Sequence, residues 1–377
     1  MSGMCASGLN GAVIGRWWPL LMMPIMAFLS FLWSDYPDVA GRYGFQLLLT
    51  AAIGVLIARR LTPERFAVTL FIGMLIFCVA SIVNGRQGPS AEGMVLIGLT
   101  GSKNAMAMAA NMLVASSIAV LFLPGLKMTL RWLAIVGLAI GIYVVAVASS
   151  ATAVLMAVGS AGMFCMMCVM QKLPPSGRAS VILGSLAVLI PIFFLQNEIN
   201  DAIATFMRDV LHKDPTLTGR TYLWERADDL ISRRPLLGYG FQAIWLSDNP
   251  DTLGILRWAG QTDGRVFNFH STYRQIGVDL GLVGAGVLVL TILAVVVCGV
   301  RQFIVAPSVA TSFAFTFFIL LVSKTFTEVI MVTFSAQTLL FYACATYAFY
   351  DTTRGAQSRL APQQQRPAQS AMRPLNS

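Results

Sequence analysis

Ten long apolar runs follow one another along this chain, and they constrain its fold more than any other feature. An α-helix needs about 20 predominantly apolar residues to cross a bilayer. Only 11% of the 377 residues are charged, against about 25% in soluble domains. The runs do not alternate between apolar and polar positions, which argues against a β-barrel. We therefore expect an all-α, polytopic membrane protein with about ten transmembrane helices. The predicted spans are residues 17–33, 43–58, 66–83, 104–123, 130–149, 150–170, 179–196, 276–298, 309–327 and 332–350.

A single long polar stretch interrupts the apolar runs, and chemistry is expected there. Residues 197–275 contain ten of the 17 acidic side chains, nine of the 26 Lys and Arg side chains, and both histidines, His212 and His270. We predict one membrane-embedded domain over residues 1–350, with residues 197–275 as its large loop. Residues 351–377 are rich in Gln, Pro, Ala, Ser and Arg and cannot bury a core, so a disordered cytoplasmic tail is expected.

Basic residues are distributed unevenly among the connectors between the predicted spans. Lys and Arg concentrate in short cytoplasmic connectors of membrane proteins. If the N-terminus is cytoplasmic, the inside connectors carry eight bases and the tail four, whereas the short outside connectors carry four. This orientation places the large loop in the periplasm of a diderm bacterium and the chain in its inner membrane. The net charge of +9 then reflects orientation and gives no reason to expect nucleic-acid binding.

The six cysteines, at positions 5, 78, 165, 168, 298 and 344, all lie outside the large loop. Cys165 and Cys168 have the spacing of a redox or metal motif, but their apolar run contains no histidine or acid. This context favours two thiols one turn apart on a buried helix. Since the chain also has no Asp-x-Asp sequence, we expect neither a metal site nor a cofactor.

Two segments of the large loop show the apolar periodicity of a helix. One covers residues 199–211. The other covers about residues 220–233, with Thr218 as its N-cap and Pro235 as its stop. Short amphipathic helices of this kind lie along a membrane surface, and we expect both helices to cover the transmembrane bundle.

His270 lies just before the eighth predicted span, on the predicted outer side. Residues 249–269 before it are predicted to be irregular, and the next helix is expected to begin at Asn268 or Ser271. Histidine is the side chain best suited to act as a general base near neutral pH. The free N–H groups of a helix start also favour an anion such as phosphate. A histidine that only caps the helix is the alternative.

Three further residues near the predicted outer face carry charge. Arg220 opens the second loop helix, where its charge opposes the helix dipole. Its guanidinium is suited to hold a phosphate through two hydrogen bonds, and a solvated surface arginine is the alternative. Lys324 and Glu328 are four residues apart at the end of a predicted span. An ion pair on one helix face accounts for that spacing, and a direct role for Glu328 is the alternative.

Short motifs recur on the predicted outer face in a fixed order. They are Trp33-Ser34-Asp35-Tyr36-Pro37 with Arg42, Gly101-Ser102-Lys103-Asn104, Thr218-Gly219-Arg220-(x3)-Trp224, Pro235-(x2)-Gly238-Tyr239-Gly240, His270, Gly281-Leu282-(x)-Gly284 and Glu328. Together they resemble the O-antigen ligase and polymerase superfamily, and within it the ExoQ-type exopolysaccharide polymerases. The resemblance covers roughly residues 30–345.

The resemblance implies an integral-membrane glycosyltransferase that uses an undecaprenyl-diphosphate-linked sugar and no nucleotide sugar. In that family an outer-face histidine activates the acceptor hydroxyl and arginines hold the diphosphate. His270 would therefore be the catalytic base and Arg220 a diphosphate ligand. Family members often carry Arg or Lys where this chain has Ala151, so either another cation replaces it, or the diphosphate is bound more weakly, or the two sequences align differently there. The available cations are Arg265, Arg274, Lys103 and Arg42, and the candidate supporting residues are Tyr273, Trp224 and Glu328.

The expected function is a polymerase that joins lipid-linked oligosaccharide repeats at the periplasmic face. A sugar hydroxyl deprotonated by His270 would attack the anomeric carbon in one displacement, so we expect inversion without a metal ion. A ligase that moves a finished glycan onto a lipid or protein acceptor is the alternative in the same class. A transporter of lipid-linked sugars would need broken helices, whereas the predicted spans are continuous. The partners expected are the lipid-linked oligosaccharide, a glycan acceptor, membrane lipids and, as candidates, a chain-length regulator and export machinery.

Overall fold

A computed structural model describes residues 11–90, 93–148, 151–194, 220–246, 249–260, 267–330 and 334–349. Within these ranges it describes the side chains of all residues except 11–17, 90, 151–152 and 188–194. The helix expected over residues 199–211, the N-cap expected at Thr218 and the tail expected over residues 351–377 lie outside the described residues.

The described part of the chain is helical except for one short hairpin. Its α-helices are α1 Gly11–Leu29, α2 Pro37–Arg60, α3 Pro63–Asn84, α4 Lys103–Phe122, α5 Met128–Val147, α6 Ala151–Met170, α7 Pro175–Phe194, α8 Arg220–Arg233, α9 Pro250–Trp258, α10 Thr272–Val305, α11 Val309–Lys324 and α12 Ala336–Ala348. The strands are β1 Gln87–Ser90 and β2 Gly93–Leu96, which pair antiparallel.

Each of the ten predicted spans overlaps one of these helices, namely α1 to α7 and α10 to α12. Six helices among the described residues are long and apolar enough to cross a membrane: α2, α3, α4, α5, residues 153–170 of α6, and α10. The apolar parts of α1 and α11 are shorter. The protein is therefore a helical, multi-pass membrane protein, and the count of ten crossings stays a prediction.

Proline and hydroxyl side chains set where several helices begin. Pro37 and Pro63 occupy the starts of α2 and α3, where a missing N–H costs no intrahelical bond. The side chain of Ser102 accepts a hydrogen bond from the N–H of Ala105 at the start of α4. Ser271 does the same for Arg274 at the start of α10. Such caps stabilise a helix by about 1 kcal/mol each.

Glycine allows the backbone of α2 to approach two neighbouring helices closely. A Cβ on Gly44 would lie 2.5 Å from the carbonyl oxygen of Ala27 in α1, and one on Gly54 would lie 2.6 Å from that of Leu339 in α12. Membrane helices gain packing energy from such close approach, because lipid supplies no hydrophobic drive between them. The two glycines therefore hold α1, α2 and α12 in one tight layer.

A break in α10 receives a segment of the large loop. Gly281 has φ 65° and ψ −166° inside the helix, which leaves backbone groups around it without intrahelical partners. Carbonyls of the loop segment 235–240 accept from Leu282 N at 2.7 Å and Val283 N at 3.3 Å, and its amide groups donate to Val278 O at 3.0 Å and Asp279 O at 2.8 Å. The prediction of continuous spans is therefore wrong for α10, where loop hydrogen bonds replace those of the helix.

The connector after α1 meets the same loop segment. The indole N–H of Trp33 donates to the carbonyl of Leu237 at 2.8 Å, and Ser34 Oγ donates to the carbonyl of Tyr239 at 2.9 Å. Asp35 forms an ion pair with Arg234 at 2.7 Å. Two connectors predicted on the same outer face thus lie together, and several of the motif residues serve to join them.

The helix expected over about residues 220–233 is confirmed as α8. Its residues Leu223, Ala227 and Leu230 are buried in a small core together with Phe269 and Val278. This core packs α8 against the start of α10, so the amphipathic stripe in the sequence positions α8 beside His270.

One prediction about a loop is wrong. Residues 249–269 are not irregular throughout, because α9 forms at Pro250–Trp258 with the side chain of Asn249 accepting from the N–H of Asp251. The connector before α4 contains a hairpin formed by β1 and β2, on which no prediction was made. An Asn-Pro pair is a recognised helix start, so α9 was detectable in the sequence.

Candidate active site

Four distant segments of the chain meet at the carboxylate of Glu328. Its Oε2 lies 3.3 Å from Nδ1 of His270. Its Oε1 accepts from Nδ2 of Asn104 at 3.0 Å and from Nη2 of Arg220 at 3.4 Å. We call these four residues the Glu328 cluster. The structure thereby brings together the predicted base, the predicted diphosphate ligand and a residue predicted only as support.

The turn after α11 places Glu328 against the start of α10. The N–H of Thr272 donates to the carbonyl of Thr325 at 2.8 Å. The hydroxyl of Thr272 donates to the carbonyl of Glu328 at 2.8 Å and accepts from the N–H of Ile330 at 2.9 Å. These three bonds fix the backbone of residues 325–330, so the Glu328 carboxylate faces the histidine two residues before Thr272.

The spacing of Lys324 and Glu328 led to the prediction of an ion pair on one helix face, and this is wrong. Helix α11 ends at Lys324, and Glu328 lies in the following turn, where its N–H donates to the Lys324 carbonyl at 2.9 Å. The Glu328 carboxylate therefore contacts three other segments of the chain.

His270 has a strained backbone that its neighbours hold in place. Its φ of 50° lies in the left-handed region, which non-glycine residues rarely adopt and which costs about 1–3 kcal/mol. Its N–H donates to Oδ1 of Asn268 at 2.8 Å. The carbonyl of Phe269 accepts from the indole N–H of Trp224 at 3.0 Å. Strain of this kind is concentrated at functional sites.

A chain of buried hydrogen bonds between two amide side chains and a carboxylate supports the backbone next to His270. Asp279 is fully buried and accepts from Nε2 of Gln275 at 3.1 Å and Nε2 of Gln242 at 3.3 Å. Gln275 in turn accepts from the N–H of Phe269 at 3.4 Å. These residues were not predicted, since only the fold brings Gln242 to α10.

Electrostatics favour an ionised Glu328 and a defined histidine tautomer. Burial raises the pKa of Glu328, but the hydrogen bond from His270 and the charges of His270, Arg220 and Lys324 outweigh it and hold that pKa below its ordinary value. Because an ionised carboxylate only accepts hydrogen bonds, Nδ1 of His270 carries the proton toward Glu328. In a neutral imidazole this leaves the lone pair on Nε2, the geometry of a general base.

The three ionisable side chains of the cluster are accessible from outside. The exposed fractions are 29% for His270, 24% for Glu328 and 20% for Arg220. They are sheltered enough to interact strongly, yet a substrate is able to reach them. The cluster thus places a candidate base and a cation beside one partly exposed carboxylate.

Other predicted site residues are placed around the cluster. Arg274 pairs with Asp228 at 3.0 Å and lies over the Trp224 ring, 4.6 Å from its centroid. Tyr273 packs against Phe326, with ring centroids 5.0 Å apart. In the structure, therefore, Arg274 and Trp224 brace α8 against α10.

Of the three remaining predicted cations, the structure describes Lys103 and Arg42. Lys103 is the first residue of α4, directly before Asn104. Arg42 is exposed on α2 with its guanidinium 4.7 Å from the centroid of the Tyr43 ring, and it makes no hydrogen bond or ion pair to the Glu328 cluster within the described residues. Arg265 and the side chain of Ala151 lie outside what the structure describes.

Asn104 is the cluster member that sequence reasoning missed. It belongs to the Gly101-Ser102-Lys103-Asn104 motif, and its position in the first turn of α4 was the available signal. Within the described residues, no group of three or more His, Cys, Asp or Glu side chains has the arrangement of a metal site. Cys165 and Cys168 are free thiols.

The helical membrane fold and a family match together define the class to which this protein belongs. Residues 90–289 match the O-antigen ligase family, which is more than half of the 377 residues, and the chain belongs to that family. The resemblance inferred from the motifs is thereby confirmed.

The chain is also similar in sequence to an individual protein. The chain is 27% identical over 271 residues to the exopolysaccharide production protein ExoQ of Rhizobium meliloti (strain 1021). The alignment covers 69% of this chain and 60% of the relative, so the chain matches about three fifths of the length of that protein.

Proposed function

We propose that this protein is a glycosyltransferase that joins undecaprenyl-diphosphate-linked oligosaccharide repeats into an exopolysaccharide at the periplasmic face of the inner membrane. The observation that supports this most is the Glu328 cluster, in which an oriented imidazole and a guanidinium share one carboxylate. The similarity to an exopolysaccharide production protein favours a polymer as the product.

The proposed reaction is one displacement at the anomeric carbon. The acceptor hydroxyl gives its proton to Nε2 of His270 as its oxygen forms the new bond to that carbon. The bond from the carbon to the diphosphate oxygen breaks, and its electron pair leaves with the lipid diphosphate. Glu328 holds Nδ1–H throughout and stabilises the imidazolium that forms. A single displacement inverts the configuration of the sugar.

Fixed cations would stabilise the departing diphosphate. Arg220 lies in the cluster and Lys103 begins α4 beside Asn104. Charge-assisted hydrogen bonds contribute about 1.5–3 kcal/mol each, so two such contacts that strengthen in the transition state would speed transfer by about a hundredfold or more. The proposal therefore needs no metal ion for the leaving group.

Ligation is the second candidate, because the matched family is described as O-antigen ligase. Polymerase and ligase would share the donor and the base and differ in the acceptor. The purified protein should therefore be given a lipid-linked repeat unit, first alone and then with a lipid or protein acceptor, without nucleotide sugar.

We expect a ladder of growing chains from the repeat unit alone. Products only when the second acceptor is present would establish the ligase. If the folded protein transfers no glycan in either reaction, the proposed enzyme activity is contradicted. A transporter of lipid-linked sugars would then be the remaining candidate function.

A further inference from the structure

A cavity of about 120 Å³ adjoins the Glu328 cluster. Its polar lining consists of Ser102, Asn104, Lys324, Glu328 and Gln337, and the rest is apolar. Glu328 contacts Asn104 of the cavity lining through Oε1 and His270 through Oε2. The carboxylate therefore stands between the candidate base and the cavity.

Two helices begin at the edge of this cavity. Helix α4 starts at Lys103 with Ser102 as its cap, and α12 starts at Ala336, one residue before Gln337. The first N–H groups of a helix have no intrahelical acceptor and carry a partial positive charge. Both helix starts thus favour an anion in the space between them.

Lys324 supplies an independent reason to expect an anion there. Its side chain lines the cavity and is only 5% exposed. Within the described residues it makes no side-chain hydrogen bond or ion pair. A buried ammonium without an acceptor is costly. The Glu328 carboxylate in the same lining acts on Lys324 through its charge, but it makes no hydrogen bond to it and its oxygens are bound by Asn104, Arg220 and His270.

We infer that this cavity receives one phosphate group of the lipid-linked diphosphate, with Lys324 as a direct ligand. The inference rests on the proposed function and adds Lys324 and Gln337, which belong to none of the motifs, to the residues that would hold its substrate. By volume the cavity corresponds to about four water molecules, which is enough space for one phosphate group. The sugar would then lie on the His270 side of Glu328, where the acceptor hydroxyl is activated.

A purely structural lysine is the competing explanation. Lys324 ends α11, and a cation at a helix end complements the helix dipole. The two explanations differ in what they predict for binding. A structural lysine affects the unfolding temperature of the free protein, whereas a phosphate ligand changes how much diphosphate is needed to raise it.

The test uses the full chain in detergent or nanodiscs and compares Lys324→Met with Lys172→Met. Lys172 is exposed on the connector between α6 and α7, so it controls for the loss of one lysine charge. The unfolding temperature is measured against inorganic diphosphate, with sulfate as a control anion. A polyprenyl monophosphate is then added as a competitor, which distinguishes a lipid headgroup from a free phosphate as the natural source.

We expect diphosphate to raise the unfolding temperature of the wild-type protein and of Lys172→Met. Lys324→Met should need at least about ten times more diphosphate for the same rise, because it lacks one charge-assisted contact. Competition by the polyprenyl monophosphate would support the lipid headgroup as the ligand, and its absence would point to free phosphate and contradict the assignment to the lipid-linked diphosphate. Equal diphosphate dependence of all three proteins would overturn the inference.

A kinetic readout separates this inference from the proposed function. In the chain-growth reaction, Lys324→Met should raise KM for the lipid-linked donor or lower kcat, while Lys172→Met changes neither. Chain growth that is unaffected by Lys324→Met would overturn the cavity assignment and leave the enzyme intact. If diphosphate binding needs Lys324 but the protein shows no chain growth, the result would support the anion site and contradict the proposed enzyme activity. If Lys324→Met does not fold, Gln337→Ala takes its place in both measurements with the same criteria.

Discussion

Nδ1 of His270 and Oε2 of Glu328 lie 3.3 Å apart although 58 residues separate them in the chain. The contact depends on the turn after α11, which Thr272 holds against the start of α10. Because the carboxylate orients the imidazole, the account makes Glu328 a positioning residue for the base, and the variants below test that relationship.

Replacing Glu328 by Gln should impair catalysis while keeping the size of the side chain. The amide would no longer stabilise the imidazolium, so we expect kcat to fall at least about tenfold and the acidic limb of the pH–rate profile to move. The control is Glu225→Gln, an exposed acid on α8. Unchanged kcat and an unchanged pH profile in Glu328→Gln would contradict the assigned role.

The same contact predicts a stability contribution that is lost in acid. The pKa of Glu328 is lowered in the folded protein, so the folded state binds this proton more weakly than the unfolded chain does. The contribution is complete above the unfolded pKa of about 4.3 and disappears as the pH falls through the folded-state value. Below about pH 4.3, the unfolding temperature of the wild-type protein should fall more steeply than that of Glu328→Gln. Parallel decline of the two proteins would refute this prediction.

Trp224→Phe tests the support of the strained histidine. The change keeps an aromatic ring but removes the hydrogen bond from the indole N–H to the Phe269 carbonyl. A bond of about 1 kcal/mol is lost next to His270, and we expect activity to fall about fivefold at an unchanged amount of folded protein. Trp258→Phe is the matched control, since Trp258 is 49% exposed at the end of α9. Equal activity of both variants would show that the bond does not position His270.

Gly281→Ala tests the docking of the loop segment into α10. A Cβ at Gly281 would lie 2.2 Å from the carbonyl oxygen of Leu236, at a φ of 65°. With ψ at −166°, this backbone conformation is one that essentially only glycine adopts; it costs alanine about 1–3 kcal/mol, and the clash adds to it. We expect a clearly lower unfolding temperature and a protease-sensitive loop.

Gly286→Ala on the same helix is the control for Gly281→Ala, because a Cβ at Gly286 meets no atom within 4 Å. It should leave the unfolding temperature unchanged or slightly raised. If both variants unfold at the same temperature, the break in α10 does not hold the loop.

The helices and the position of His270 were predictable because the sequence patterns that indicate them are local. Apolar runs indicate the helices of the bundle, and the stripe that includes Leu223, Ala227 and Leu230 indicates α8. His270 was detectable from its place before an apolar run, since Ser271 then caps α10.

The assembly of the cluster was not predictable because its partners are far apart in the chain. Glu328 bonds to His270, Arg220 and Asn104 across 58, 108 and 224 residues, and no sequence spacing indicates such contacts. The wrong prediction for Lys324 and Glu328 has the same cause. A helix was assumed to continue past Lys324, whereas the turn held by Thr272 ends it there.

The most direct test of the central claim is chain growth from a purified lipid-linked repeat unit by wild-type protein, His270→Ala and Arg226→Ala. Arg226 is an exposed residue of α8 beside Tyr222 and serves as the control for a change on the same surface. Loss of the general base should reduce the rate by about a hundredfold or more in His270→Ala, with Arg226→Ala matching the wild-type protein. Polymer formed by folded His270→Ala at the wild-type rate would contradict the account.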